Sequence, residues 1–199
     1  MVRKCDDLVI PMLNYMFDEH YASNEKIIRA ANEEFAQQDE GILTKRITDA
    51  QLLVMSDGKH YHVECESSTK TGSVLIRIYE YGSMIALDDS AFDEESCHLT
   101  VRFPHAGILY LRSNGKIPDV MTIEIHVPDG KSCIYQVPVM RRSDFTIDQI
   151  FEEKMYMLIP FYLFGYESQL PEINESEERL QVLLDEYEKI TNVTVQTLT

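Results

Sequence analysis

The chain has no long apolar run, no recognisable secretion signal and no internal repeat or low-complexity tract. Its apolar runs, such as residues 108–111, fall far short of the roughly 18 residues that a membrane-spanning helix needs. The first residues carry charges and no apolar core follows them, so they do not read as a signal peptide. We therefore expect a cytoplasmic protein without a membrane partner.

Cysteine is scarce and widely spaced. The four cysteines are Cys5, Cys65, Cys97 and Cys133, and no CxxC pair occurs among them. Zinc sites built from thiolates usually contain such close pairs, so a zinc site of this kind is not expected. Without a secretion signal, free thiols in a reducing compartment are the better interpretation.

Basic residues are also few. Lys and Arg together number 18, against 34 Asp and Glu, which gives a net charge of −16. Broad, non-specific binding of nucleic acid depends on neutralising phosphates with basic side chains, so the composition argues against it. A function on DNA would have to rely on a local basic patch, on metal ions or on a partner. Glycine-rich phosphate loops, a Ser-His-Asp order and an HExxH motif are absent as well.

The overall composition is typical of a globular protein. Apolar residues make up 44% and charged residues 26% of its 199 residues, enough to bury a core in one domain or in one domain with an appendage. Apolar periodicity and turn residues predict the elements. Helices are expected at residues 7–17, 73–87, 146–164 (with a break at Pro160) and 174–190, and a helix-like or irregular segment at 24–35. Strands are expected at 46–55, 61–65, 99–103, 107–111, 121–127 and 133–140, with loops at 37–41 and 88–97.

This order of elements predicts an α/β fold in which a mixed β-sheet is flanked by helices. We expect residues 1–170 to form the main domain and residues 171–199 to form a C-terminal helical extension. The last predicted helix carries many charges and a modest apolar stripe, so it would pack on a neighbouring surface.

The dipeptide Asp57-Gly58 between two strand-like runs predicts a β-hairpin with a two-residue turn. In that register Gln51 lies opposite Glu64, and Asp49 lies opposite Glu66. Side chains alternate between the two faces of a strand, so one face of the hairpin is apolar and the other is polar. The polar face would collect Asp49, Gln51, Leu53, His60, His62, Glu64 and Glu66.

Three carboxylates on one face are hard to explain by stability, because like charges in opposed positions destabilise a sheet. A divalent cation with oxygen ligands would explain them, since Mg²⁺ is commonly held by one or two carboxylates together with substrate phosphate. A solvated acidic strand face in a very acidic protein is the alternative, and spacing alone favours it. His60 and His62 are each more typical of surface or cross-strand polar residues than of ligands.

A string of motifs in a fixed order resembles the bacterial PD-(D/E)xK nuclease family transposases, which are related to the recombination-promoting nucleases. The order Asp-x14-Glu-x-Glu on a hairpin followed by a helix is the central feature, and the match runs over nearly the whole chain. The motifs are Asn32-Glu33-Glu34-Phe35, Lys45-Arg46-Ile47-Thr48-Asp49, Tyr61-His62-Val63-Glu64-Cys65-Glu66-Ser67, Ile76-Arg77-Ile78-Tyr79-Glu80-Tyr81, Ile85-Ala86-Leu87-Asp88, Leu99-Thr100-Val101-Arg102-Phe103-Pro104-His105 and Ile159-Pro160-Phe161-Tyr162.

The resemblance implies a metal-dependent DNA endonuclease that serves recombination or transposition. Its fold would be a restriction-endonuclease-like core, a four- or five-stranded mixed sheet flanked by helices. Asp49 and Glu64 would bind Mg²⁺, or Mn²⁺ in its place, and Glu33 would add a carboxylate from a preceding helix. Arg77 and Tyr81, one turn apart on the following helix, would contact phosphate or brace the site.

Glu66 departs from the pattern of the family, whose third catalytic position is usually Lys and often Gln. A glutamate can act as a general base or a further ligand, but it cannot stabilise developing negative charge on phosphate as Lys can. Either Glu66 binds a second metal ion, or a basic residue such as Lys45, Arg46 or Lys70 takes the place of the lysine, or the activity is weak. Two functions therefore stay open. The chain is a nuclease with the catalytic residues Asp49, Glu64 and Glu66, or it is a catalytically degenerate nuclease fold that binds a protein partner or forms a homodimer.

Overall fold

Helices cover both faces of a six-stranded mixed sheet. The computed structural model describes residues 6–29, 35–39, 42–46, 50–67, 71–112, 116–162, 181, 182, 184, 185 and 188. Up to residue 162 the α-helices α1 to α4 are Asp6–Phe17, Thr71–Asp88, Ile147–Glu152 and Ile159–Tyr162. The strands β1 to β10 are Ile27–Arg29, Phe35–Asp39, Ile42–Arg46, Ala50–Val54, His60–Glu66, Ala91–Asp93, His98–Thr100, His105–Tyr110, Val120–His126 and Ser132–Arg141.

The sheet has the strand order β1-β4-β5-β8-β10-β9. Strands β5, β8 and β10 run parallel to one another, and the other neighbouring pairs are antiparallel. Helix α2 lies between β5 and β8 in the chain, as a connection between two parallel strands requires. The prediction of an α/β fold with a mixed sheet between helices is therefore confirmed. Two separate ladders, β2 with β3 and β6 with β7, complete the described strands.

Two apolar clusters lie on opposite faces of the sheet, and each follows from a simple periodicity. Helix α1 and the short helices of residues 147–162 cover one face, while α2 covers the other. On α2, Val74 and Ile78 are buried one turn apart, so the helix presents one apolar stripe to the strands. The first cluster includes Ile10, Leu13, Leu52, Val54, Tyr61, Val63, Leu109, Ile150 and Leu158, and the second includes Val74, Ile78, Ala106, Ile108, Tyr110 and Val137.

The β4–β5 hairpin has a longer turn than the sequence predicts. Gln51 pairs with His62, and the turn is a four-residue loop closed by the bond from the Val54 amide to the Lys59 carbonyl. A type I′ turn needs positive φ at both central residues, and here only Gly58 of the dipeptide has it, at 70°. The predicted pairing of Gln51 with Glu64 is therefore wrong. The register argument for Asp49 opposite Glu66 no longer holds, and Asp49 lies outside the described residues.

The error in the predicted register does not change which face of the hairpin each residue lies on. The observed pairing differs from the predicted one by two residues, and side chains alternate with period two, so each residue keeps its face. Leu52, Val54, Tyr61 and Val63 belong to the apolar cluster beneath α1, with Cys65 packed against it. The predicted apolar face of the hairpin is confirmed.

The predicted long helix of residues 146–164 is wrong, because the chain forms short helical pieces instead. Thr146 caps α3 in a reciprocal capping box with Gln149. The helix ends where Lys154 takes a left-handed conformation, at φ 56°, and the Met155 amide bonds back to the Ile150 carbonyl. Pro160 does not interrupt a helix as predicted, because it lies in the first turn of α4, where the missing N–H is not needed for a helical hydrogen bond.

Other predicted elements are confirmed or corrected. The helices predicted at 7–17 and 73–87 and the strands at 61–65, 107–111, 121–127 and 133–140 are confirmed within one or two residues at most ends. In β1 and β6, where strands replace a helix-like segment and a loop, apolar residues are paired across the ladders, as Ile27 is with Val54 and Phe92 with Leu99. Three ranges predicted as a helix-like segment or as loops contain strands: 24–35 contains β1, 37–41 contains part of β2, and 88–97 contains β6. Two predicted strands have other bounds: 46–55 divides between β3 and β4, and in 99–103 strand β7 ends at Thr100. Most of 174–190 lies outside the described residues.

Gly107 on β8 permits the close approach of α1 to the sheet. A Cβ atom at this position would collide with the Met16 side chain and would lie 3.0 Å from the Phe17 ring. We predict that Gly107→Ala lowers the free energy of unfolding by about 1–3 kcal/mol, the usual cost of overpacking a core. Urea denaturation would measure it.

Gly72→Ala is the matched control for this prediction. A Cβ atom at Gly72 meets nothing within 4 Å, and alanine favours a helix over glycine, so this variant should keep or slightly raise the stability. Equal stability of Gly107→Ala and the wild-type chain would contradict the close packing of α1 on β8.

Candidate active site

The polar face of strand β5 is buried beneath helix α2. His62, Glu64 and Glu66 alternate with apolar residues, so all three point toward α2. Their exposed fractions are 0%, 2% and 7%. The alternative of a solvated acidic strand face is therefore wrong for Glu64 and Glu66, and the position of these two charges needs another explanation.

Arg77 of α2 bridges the two buried carboxylates. Its Nε donates to Glu64 Oε2 at 3.0 Å, and its Nη2 donates to Glu66 Oε2 at 3.1 Å. The Arg77 side chain is 30% exposed, so it reaches from the surface into the buried pair. Arg77 lies one turn from Val74 and next to Ile78, at the edge of the apolar stripe of α2. One planar guanidinium thus holds two carboxylates of the same strand face.

His62 holds the other oxygen of Glu64. Its Nε2 lies 2.9 Å from Glu64 Oε1, and its ring packs against Tyr81 with the two ring centroids 5.9 Å apart. Among the described residues, His62 Nδ1 is buried without a hydrogen-bond partner. Both oxygens of Glu64 are therefore fixed in direction, one by His62 and one by Arg77.

Arg77 keeps its charge within this cluster. Burial disfavours the charged form of Arg77, but its hydrogen bonds to Glu64 and Glu66 hold the pKa of the guanidinium above its ordinary value. The guanidinium is therefore held to both carboxyl groups by charge-assisted hydrogen bonds.

Tyr110 belongs to the same region, and the sequence gave no reason to single it out. It is the last residue of β8, it pairs with Glu66 across the parallel strands, and it is fully buried on the α2 side. Within the described part of the chain, its hydroxyl has no hydrogen-bond partner. Alternation along β8 could have placed Tyr110 on this face, but nothing in the sequence pairs β8 with β5.

The structure brings together some of the predicted site residues and leaves others untested. Glu64, Glu66 and Arg77 form one cluster, and Tyr81 contacts it through His62. The predicted ligands Asp49 and Glu33 lie outside the described residues. Within the ranges that are described, no group of three or more His, Cys, Asp or Glu side chains is arranged to hold a metal ion.

No family model, no curated protein and no solved structure matches the chain. The resemblance to PD-(D/E)xK nuclease family transposases therefore rests on the motifs of the sequence alone. Among the described helices, none combines the length and the apolar character that would be needed to cross a membrane.

Breaking the Arg77 bridge should destabilise the fold. Arg77→Met keeps the apolar stem but leaves two buried carboxylates without their cation. We predict a loss of about 3 kcal/mol at neutral pH, the lower end of the range for a broken buried pair, because the arginine is partly exposed. Chemical denaturation followed by circular dichroism would measure the loss.

Two further variants serve as controls. Lys131→Met removes an exposed ion pair with Asp129 and should change stability by less than about 1 kcal/mol. Combining Glu64→Gln and Glu66→Gln with Arg77→Met removes all three charges and should recover part of the loss. A loss no larger for Arg77→Met than for Lys131→Met would rule out a buried bridge.

Proposed function

We propose that the protein is a metal-dependent DNA endonuclease with a restriction-endonuclease-like core, acting in recombination or transposition. One observation carries the proposal: two carboxylates of a central strand, Glu64 and Glu66, are buried together around a single guanidinium. The same two residues are the last acids of the nuclease motif in the sequence. The motif and the buried cluster thus point independently to the same site.

Stability alone gives a poor reason for this cluster. Removing charges from water costs several kcal/mol per ion, and apolar residues of similar volume are often as stable or more stable in such positions. Buried ionisable groups of like charge are typical of functional sites, where they bind ions or substrates. The cluster therefore supports a chemical role rather than a purely structural one.

The position of the Glu64–Glu66 cluster at the end of parallel strands also supports the proposal. Glu66 ends β5, and Tyr110 ends the neighbouring parallel strand β8. In open α/β sheets, ligands commonly bind outside the carboxyl ends of parallel strands. Arg77 stands at this edge with a partly exposed side chain, where it could meet a phosphate group.

The residues present fit Mg²⁺ in donor type. Carboxylate oxygens are its preferred protein ligands, and one or two carboxylates with substrate phosphate commonly suffice. Glu64 would hold the ion, together with Asp49 and Glu33 if they take the places that the resemblance implies. Arg77 donates a hydrogen bond to one oxygen of Glu64. For that oxygen to bind the ion, the guanidinium would have to turn away from it, toward the substrate phosphate.

The bound ion would polarise the scissile phosphate and make water a better nucleophile at neutral pH. His62 would keep the carboxylate of Glu64 in one orientation through its 2.9 Å contact. Glu66 would orient the attacking water by accepting its hydrogen bond. Arg77 would bind the phosphate and restrain both carboxylates between turnovers.

Loss of the ligands tests the proposal directly. We predict that the wild-type chain nicks supercoiled plasmid DNA with Mg²⁺ or Mn²⁺ and that Asp49→Ala and Glu64→Ala abolish the nicking. Glu124→Ala, which changes an exposed carboxylate of β9, is the matched control and should leave the rate unchanged. No cleavage with any divalent cation, or full cleavage by both ligand variants, would refute the nuclease function.

A second candidate is a catalytically degenerate nuclease fold that binds a protein or a second copy of the chain. Exposed apolar side chains favour it: Phe92 and Leu99 face each other across the β6–β7 ladder with 61% and 48% of their surface exposed. Exposed apolar pairs of this kind are typical of interaction surfaces when they form larger patches.

Substitution of Glu66 separates the two candidates. Glu66→Gln keeps an acceptor for water and adds an amide donor, so an attenuated nuclease should become faster, by about tenfold or more. Plasmid nicking with the purified variant measures the rate. No change in rate together with a tight dimer in sedimentation analysis would favour the interaction module.

A further inference from the structure

The hydroxyl of Tyr110 has no partner in a place where a partner is expected. The side chain is fully buried, and among the described residues its oxygen has no hydrogen bond. An unsatisfied buried hydroxyl costs about 1–3 kcal/mol, and the large majority of buried polar groups in native proteins are paired. Such an exception needs an explanation, and a ligand that binds at this position would provide one.

Two other tyrosines of the sheet, the buried Tyr61 and the half-buried Tyr135, do have partners for their hydroxyls. Tyr61 donates to Glu19 at 2.9 Å and lies 2.7 Å from the Tyr21 hydroxyl. Tyr135 donates to the carbonyl oxygen of Pro104 at 2.6 Å. The unpaired hydroxyl of Tyr110 is therefore not a general property of tyrosines in this fold.

Tyr110 stands beside the charged cluster. It is the cross-strand partner of Glu66 on the same face, and the charges of Glu66 and Arg77 are close enough to act on its hydroxyl. Burial raises the pKa of Tyr110, and Glu66 acts in the same direction while Arg77 opposes it. At neutral pH the hydroxyl therefore keeps its proton and can donate a hydrogen bond.

Glu66 leaves the site without a donor at the third position of the motif. A carboxylate accepts hydrogen bonds, whereas the developing negative charge on a phosphoryl oxygen needs a donor. We propose that the Tyr110 hydroxyl donates to a non-bridging oxygen of the scissile phosphate and supplies the donor that Glu66 cannot. This inference rests on the proposed nuclease function and adds a catalytic residue to it.

Tyr110→Phe tests the inference, because it removes the hydroxyl and nothing else. We expect kcat for plasmid nicking to fall roughly 10²-fold, the scale for losing one preorganised donor to a developing oxyanion. KM should stay unchanged, and the melting temperature should stay level or rise, because the hydroxyl has no partner among the described residues and its burial costs free energy. Tyr135→Phe is the matched control, and its kcat should match that of the wild-type chain.

The same substitution in the Glu66→Gln background distinguishes a catalytic from a structural role. The amide of that variant adds a second donor, so Tyr110→Phe should then lower kcat less than tenfold. An equal loss in both backgrounds, a fall in melting temperature that parallels the fall in kcat, or a wild-type rate for Tyr110→Phe would overturn the inference. If the wild-type chain itself cleaves no DNA, the proposed function fails and this inference fails with it.

Discussion

Two carboxyl groups buried on one strand face need a cation or protons to compensate their charge, and in this structure Arg77 contacts both. Its guanidinium joins α2 to β5, so the bridge also fixes how the helix lies over the sheet. The buried position of His62 and the direction of both Glu64 oxygens depend on that packing. Under the proposed function, the oxygens of Glu64 in this pair would also be the ligands of a divalent ion.

The net charge of −16 limits how such a site could meet DNA. Long-range attraction to the phosphate backbone is weak or repulsive for this chain, so binding would depend on short-range contacts. Arg77 is the partly exposed cation at the site, and a bound divalent ion would add to it. On this account the acidic composition suits a nuclease that needs a metal ion to hold its substrate.

Periodicity predicted most of the sheet and the faces of the hairpin. The period of two placed Glu64 and Glu66 on one face of β5. Gln51 of β4 keeps that face although the turn has four residues instead of two, because a shift by two preserves the alternation. Burial was not predictable in the same way. It depends on α2 covering β5, and the sequence near Glu64 is compatible with either a covered or a solvated face. Tyr110 was missed for a similar reason, since its neighbour Glu66 lies 44 positions earlier in the chain and the pairing of β8 with β5 is a long-range event.

The central claim is that the Glu64–Glu66 cluster is a metal-binding nuclease site. Anomalous diffraction from crystals soaked in Mn²⁺ tests it most directly, because Mn²⁺ takes oxygen ligands and can be located by its own scattering. The account predicts a peak at bonding distance from a Glu64 oxygen, with Arg77 turned away from that oxygen. An Arg77 bridge that stays intact in Mn²⁺, with no peak beside Glu64, would contradict it.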